Sequence, residues 1–182
     1  MNTSIPHTLD GLFDLFLQRG AALYLGEAVT QLEHAEQCAA LARNEGASDA
    51  LIVAAFLHDI GHLLFADHAG GTDDRHEASG AVLVARVLGD RVAAPIRLHV
   101  AAKRHLCGAD RGYAAKLSPT SVASLAAQGG AFDIGEQAQF LLEPYAADAL
   151  ALRRWDDLGK VPGGEGIPLE EVRGIARSLM GA

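Results

Sequence analysis

An unbroken apolar run that ends in an adjacent imidazole and carboxylate constrains this chain more than any other feature. It is LIVAAFLHDIGH, residues 51–62, whose apolar part leads directly into His58-Asp59. A segment that is apolar on every side belongs inside a core. Charged groups carried there are costly unless they are paired or bind a metal. Adjacent helical residues point about 100° apart, because the helix has about 3.6 residues per turn. Both side chains therefore reach one metal only at the helix end, where Gly61 lets the chain turn away without a side-chain clash. A helix C-terminus favours a histidine and disfavours an aspartate. A capping role thus explains His58 and leaves Asp59 unexplained.

Four further ligand-type residues, His34, His76, His99 and Asp156, stand at spacings that allow convergence on the same point. One metal takes three or four protein ligands; six, with a carboxylate able to bridge, point to two metals. Nitrogen and oxygen ligands without cysteine suit iron, manganese or zinc and leave redox chemistry open. Each residue also has a plainer reading. His34, in QLEHAEQCAALA, lies beside the apolar stripe Leu32, Ala35, Ala39 and Ala42, as a core histidine would. His76 in DRHEASGAVLV and His99 in PIRLHVAAKRH are weak signals singly; together they bring imidazoles from two more helices. Asp156 follows a predicted helix by one residue, where a solvated acidic end is the ordinary reading and Asp157 competes for any ligand role.

Alanine and leucine dominate and β-branched runs are scarce, so the pattern reads as all-α. Helices are predicted at about 8–19, 26–44, 48–60, 74–88, 90–106, 118–128, 133–142, 145–155 and 168–180. Asn44-Glu45-Gly46 marks a helix end, Ser48 or Asp49 caps the next, Gly70-Gly71-Thr72-Asp73 reads as a loop with a cap, and Pro95 falls early in its helix. GKVPGGEGI, residues 159–167, connects to a last amphipathic helix. There is no internal repeat. The 182 residues, 49% hydrophobic and 21% charged, suit one folded domain over 1–182, with a core at about 15–165. A net charge of −8 repels phosphate backbones and anionic lipid, so neither nucleic acid nor membrane is an expected partner. Two cysteines, Cys38 and Cys107, and no leader or spanning pattern give a cytoplasmic expectation, as a monomer or weak homodimer.

Basic groups suggest what the metals act on. Lys103 lies four residues after His99 on one helical face, and Arg153 three before Asp156. Either can be a surface charge; beside a metal, either can bind a phosphate or phosphonate oxygen. Ser121 and Gln128-Gly129-Gly130 add hydroxyl, amide and backbone donors.

The set His34, His58-Asp59 and Asp156 resembles the H…HD…D pattern of the HD-domain superfamily, mostly phosphohydrolases, and His76 and His99 match its two-metal members. YLGEAVTQLEH (24–34), FLHDIGH (56–62), HVAAKRHL (99–106), QGG (128–130) and RRWDDLGK (153–160) more closely resemble the PhnZ-type mixed-valent di-iron oxygenases. The resemblance runs over about residues 15–165 and implies an all-α HD-domain helical bundle with a di-iron site in its core. It implies one iron on His34, His58, Asp59 and Asp156, and a second on His76, His99 and the bridging Asp59, active as Fe(II)/Fe(III). Lys103, Ser121 and Arg153 match the residues that hold the phosphonate, with His62 and Gln128 in the pocket; Tyr24 and Glu27 match a lid pair. The implied reaction is dioxygen-dependent C–P cleavage of a small 1-hydroxyphosphonate: first (R)-1-hydroxy-2-aminoethylphosphonate, to glycine and phosphate, with the trimethylammonium analogue or hydroxymethylphosphonate as alternatives. Apolar Leu63-Leu64-Phe65-Ala66 after His62 puts the substrate's side group in doubt, and the 65–75 loop has no match. An HD phosphohydrolase is the competing enzyme class, and a binding module with structural metals the competing non-enzyme.

Overall fold

The computed structural model describes residues 5–24, 26–64 and 75–181. Among them every regular element is a helix. These are α1 (Leu9–Arg19), α2 (Gln31–Asn44), α3 (Asp49–Leu57), α4 (Ile60–Leu64), α5 (His76–Leu88), α6 (Asp90–Ala109), α7 (Arg111–Ala114), α8 (Pro119–Ala127), α9 (Ile134–Phe140), α10 (Ala146–Leu158) and α11 (Leu169–Met180). The 65–74 stretch, with Phe65, Ala66, the glycine loop and the start of the 74–88 helix, lies outside the described residues.

The apolar run becomes α3, with Leu51 through Leu57 all buried. Having no polar face, it packs against α2, α6, α10 and α11 rather than lying on the surface. Phe13 and Phe16 of α1 close its far side, with ring centroids 5.4 and 4.8 Å from Phe56. Each such buried side chain contributes about 1.5–3 kcal/mol. The helix stops at Leu57, so the predicted 48–60 helix is two pieces: α3 capped by Ser48, and the short α4. His58-Asp59 is the joint between them, inside the core.

Three departures from the predicted elements bear on function. The 26–44 helix begins only at Gln31, because Thr30 and Glu33 form a reciprocal capping box. Residues 22–24 and 26–31 are instead tied together as a turn: the Tyr24 N–H donates to Val29, the Gln31 N–H to Ala22, and Gly26 has φ +83°. The 145–155 helix extends to Leu158, so Asp156 stands within α10 rather than beyond its end. The 90–106 helix extends to Ala109 and is followed by the unanticipated α7.

Close approaches set two junctions. A Cβ on Gly61 would lie 2.1 Å from the His76 carbonyl oxygen, so only glycine lets the start of α5 meet α4. A Cβ on Gly159 would lie 2.7 Å from Cys38 Sγ, and the bare Gly159 carbonyl instead meets His34.

Candidate metal centre

The joint after α3, the first turn of α2, the start of α5, the middle of α6 and the end of α10 converge. His34, His58, Asp59, His76, His99 and Asp156 are all buried there. The two Asp59 oxygens face opposite ways. Oδ2 lies 3.3 Å from His58 Nε2 and 3.8 Å from His34 Nε2. Oδ1 lies 3.4 Å from His76 Nε2 and 3.7 Å from His99 Nε2. Asp156 joins the first group, 3.5 Å from His34 Nε2 and 3.9 Å from His58 Nε2. The two donor sets therefore share one carboxylate.

The tautomers are fixed from behind. Nδ1 of His34, His58 and His99 each lies 2.8 Å from a main-chain carbonyl, of Gly159, Ala55 and Ile96. A carbonyl only accepts, so each Nδ1 carries the proton and each Nε2 presents its lone pair inward. Yet Nε2 of His34 and His58 are 3.3 Å apart, and those of His76 and His99 are 3.2 Å apart. Ring nitrogens this close need a cation between them, a shared proton or a metal ion. Donors bound to one metal at about 2.0–2.2 Å have about this mutual spacing. The buried Asp59 Oδ2, with no hydrogen-bond partner among the described residues, makes the same demand. The residues fit a pair of metal ions.

Without an ion, each pair has one imidazole that is charged more readily than the other. Burial opposes charge on His58, but Asp59 beside it pushes the group up to about 9; burial takes His34 down to about 4 despite Asp156. Burial also opposes charge on His76, whose hydrogen bond to Asp59 prevails and raises it, while burial and His76 push His99 well down. Asp59 is held far below the carboxylate range by His58 against the effect of burial. Cys38 Sγ comes within 3.7 Å of His34 Nε2. Burial pushes this thiol well up, and it donates to the Trp155 carbonyl, which is not the behaviour of a thiolate ligand.

A cavity of about 410 Å³ opens onto this cluster. Among its lining residues are Lys103, Ser121, Arg153, His62, Glu27, Gln128 and Tyr24, which the sequence singles out, and Lys160 and Ser124, which it does not. Tyr24 stacks on His34, with centroids 4.0 Å apart, and its hydroxyl donates to Asp156 Oδ1 at 3.4 Å. Burial and Asp156 keep the phenol protonated. Glu27 Oε1 accepts from Ser118 at 2.6 Å. Arg153 is saturated: Nη1 lies 2.6 Å from Asp156 Oδ2, while the rest of the guanidinium engages Asp157 and Tyr113. Asp157, the rival of Asp156 in sequence, is thus taken up by Arg153. Among the described residues Lys103 has a neutral hydrogen-bond partner, the Ser124 hydroxyl at 2.8 Å. Burial, with the Arg153 charge, brings its ammonium down to about 8. Gln128 Oε1 is buried without a hydrogen-bond partner among the described residues. His62 stacks on His76, its Nε2 4.0 Å from Asp59 Oδ1.

Lys160 follows Asp156 by four residues, which is the signal that would have found it. Its Nζ donates to Ser121 Oγ at 3.1 Å.

Four helices and the joint after α3 thus place an HD pair between two donor sets, which is the defining arrangement the sequence suggests. Residues 31–128 match the HD domain family, and the chain belongs to it. The chain is 44% identical to the hydroxymethylphosphonate dioxygenase of Gimesia maris over 157 residues, 84% of this chain and 78% of that one. It is 39% identical to the glycine-betaine-forming 1-hydroxy-2-(trimethylamino)ethylphosphonate dioxygenase of Leisingera caerulea over 163 residues, 86% of this chain and 81% of that one. With these relatives the chain is a metal-binding oxygenase of the PhnZ type, and its histidine and aspartate cluster offers groups that could hold metal ions. No helix among the described residues is long and apolar enough to cross a membrane.

Proposed function

We propose that this oxygenase uses dioxygen to cleave the C–P bond of a 1-hydroxyphosphonate, with two iron ions active as an Fe(II)/Fe(III) pair. The division of Asp59 between two donor sets, beside a cavity lined by cations, is the observation that carries the reading. In it His34, His58, Asp59 and Asp156 would hold one iron, and His76, His99 and the same Asp59 would hold the other. A bound iron pair would supply the redox chemistry with dioxygen that the protein's own side chains lack. In the balance, hydroxymethylphosphonate and dioxygen give formate, phosphate and a proton, with one C–H bond and the C–P bond broken.

The protein's own groups bind, orient and exclude water. Lys103 is the leading phosphonate cation, because its existing partner is a hydroxyl and not a carboxylate. Ser121 lies buried in the same wall and offers a hydroxyl to a second phosphonate oxygen. Arg153 acts first on the protein, holding Asp156 and Asp157 where they stand, and adds its field to the anion. His62, taken down to about 4 by burial, is neutral and can accept a hydrogen bond from the C1 hydroxyl. Tyr24 covers the His34 side and has to leave Asp156 for substrate to enter; Gly26 in the following turn gives the chain that freedom.

Phosphorus NMR tests the reading. Iron-loaded, reduced protein is mixed with 1-hydroxy-2-aminoethylphosphonate, its trimethylammonium analogue or hydroxymethylphosphonate, with and without air. Phosphate released only in air is the expected result. No release from any of the three, together with air-independent hydrolysis of a phosphate monoester, would overturn it in favour of a phosphohydrolase.

A further inference from the structure

α8 supplies one wall of the cavity, yet its one buried side chain is Ser121. A helix normally docks by an apolar stripe; on α8 Val122 is 50% exposed. Three serines at every third position, Ser118, Ser121 and Ser124, instead meet the charged groups of the site. Residues three apart share one helix face. Ser118 donates to Glu27 at 2.6 Å, Ser121 accepts from Lys160 at 3.1 Å, and Ser124 accepts from Lys103 at 2.8 Å. These partners allot the protons of the three hydroxyls. A carboxylate only accepts, so the Ser118 proton goes to Glu27. An ammonium only donates, so Ser124 turns a lone pair to Lys103, and its own proton goes to the Ser121 carbonyl at 3.1 Å. Ser124 is thereby pinned from both sides. The Ser121 proton is the least committed of the three: Ser118 Oγ, the nearest oxygen of the row, is 3.2 Å away. An anion in the cavity is the stronger acceptor.

We propose that Ser124 is a positioning residue for the phosphonate group: locked to the Ser121 carbonyl, it fixes the Lys103 ammonium so that this cation and the Ser121 hydroxyl, one turn back along α8, meet the same anion. The inference rests on the phosphonate reading above, and Ser124 itself touches no substrate. Lysine needs such a hold, because its flexible four-carbon stem loses much freedom when the ammonium is fixed. The neutral hydroxyl takes one of the three ammonium N–H donors and leaves the charge and the other two for a ligand. A carboxylate in the same place would fix Lys103 equally well and cancel its charge, as Asp156 and Asp157 do for Arg153. An ordinary hydrogen bond of this kind changes a binding constant by about fivefold. Because Ser124 acts through Lys103, its contribution disappears when Lys103 cannot donate.

The test is calorimetric binding to the metal-loaded protein under argon, where no turnover occurs. The ligands, titrated separately, are hydroxymethylphosphonate and 1-hydroxy-2-aminoethylphosphonate. Ser124→Ala is expected to weaken each ligand that the wild type binds by about fivefold, with iron per chain unchanged. Alanine is a stronger helix former than serine, so the variant keeps α8. Ser124→Thr, which keeps the hydroxyl, binds as the wild type does. In a Lys103→Met protein, adding Ser124→Ala causes no further loss, whereas a general role in the wall would add its fivefold to that of Lys103→Met. A Ser124→Ala protein that binds like the wild type overturns the inference, and so does a fivefold loss that persists beside Lys103→Met; both leave the phosphonate reading standing. Binding of neither ligand by the wild type removes the phosphonate reading and this inference with it.

Discussion

The two sides of the cavity are held in place by different means. On the metal side, His34, His58 and His99 are oriented by main-chain carbonyls, so none can turn without a helix or its terminus moving. On the opposite wall side chains hold side chains: Ser118 on Glu27, Lys160 on Ser121, Ser124 on Lys103. Such contacts are exchanged for about 1 kcal/mol each. The difference teaches that metal chemistry here is a property of the fold, whereas substrate choice rests on a few replaceable polar contacts. Mutations on the first side should change metal content; mutations on the second should change binding and leave the metal alone.

Asp59→Asn is the most severe test of the first half. It keeps the shape and removes the charge that both donor sets share. We expect both ions to be lost, with iron per chain, measured by elemental analysis, near zero and activity down by about a thousandfold or more. Retention of one full equivalent would show that the two sets do not depend on Asp59 equally. Gly61→Ala sharpens the division. Its new Cβ would meet the His76 carbonyl at 2.1 Å, pushing the start of α5 and its imidazole away from Asp59. The expected outcome is one iron per chain in place of two, and a loss of about 1–3 kcal/mol in denaturant unfolding from overpacking. Full occupancy would mean that His76 does not hold an ion.

On the second side, Lys103→Met should leave iron content unchanged and raise the phosphonate KM by about tenfold, the worth of a charge-assisted hydrogen bond. The pH dependence has a definite sign. Burial brings Lys103 down to about 8, so the free enzyme loses this ammonium as pH rises through that value, and kcat/KM falls with it. A bound dianion favours the charged form, so kcat falls only at higher pH. The Lys103→Met profile should lack this alkaline limb. If the limb persists in the variant, another group causes it.

What the sequence makes legible follows the same division. His58-Asp59 is readable because an unpaired charge at the end of an apolar run has few physical resolutions, and the helical spacing brings His34, His76 and His99 with it. The position of Asp156 is only half readable. The sequence ends its helix at 155, whereas Arg153 clamps both Asp156 and Asp157 one turn on and α10 continues to Leu158, before Gly159. The turn before α2 is misread for a simpler reason: the leucine and alanine pattern outweighs Thr30-x-x-Glu33, although that capping box is the stronger local signal. Lys160 is harder to see: its spacing of four from Asp156 points to it, but its bond to Ser121, 39 residues earlier, is a tertiary contact that spacing along the chain does not show.

That misread turn offers the mildest test of the comparison. Tyr24 and Glu27 are carried by a segment whose far end is fixed where Thr30 and Glu33 satisfy each other's backbone N–H groups, at 3.1 and 2.7 Å. Thr30→Ala removes half of this box and should cost about 1 kcal/mol of global stability. The cap touches neither the donor atoms nor the phosphonate wall, so iron content should be unchanged. The bonds of the turn, from Tyr24 to Val29 and from Gln31 to Ala22, should open more often, and their amide hydrogens should exchange about fivefold faster. Substrate would then enter past a looser Tyr24, raising the association rate while the affinity for the phosphonate group changes little. Loss of iron in this variant would contradict the division, since it would make the lid turn part of what holds the metal side together.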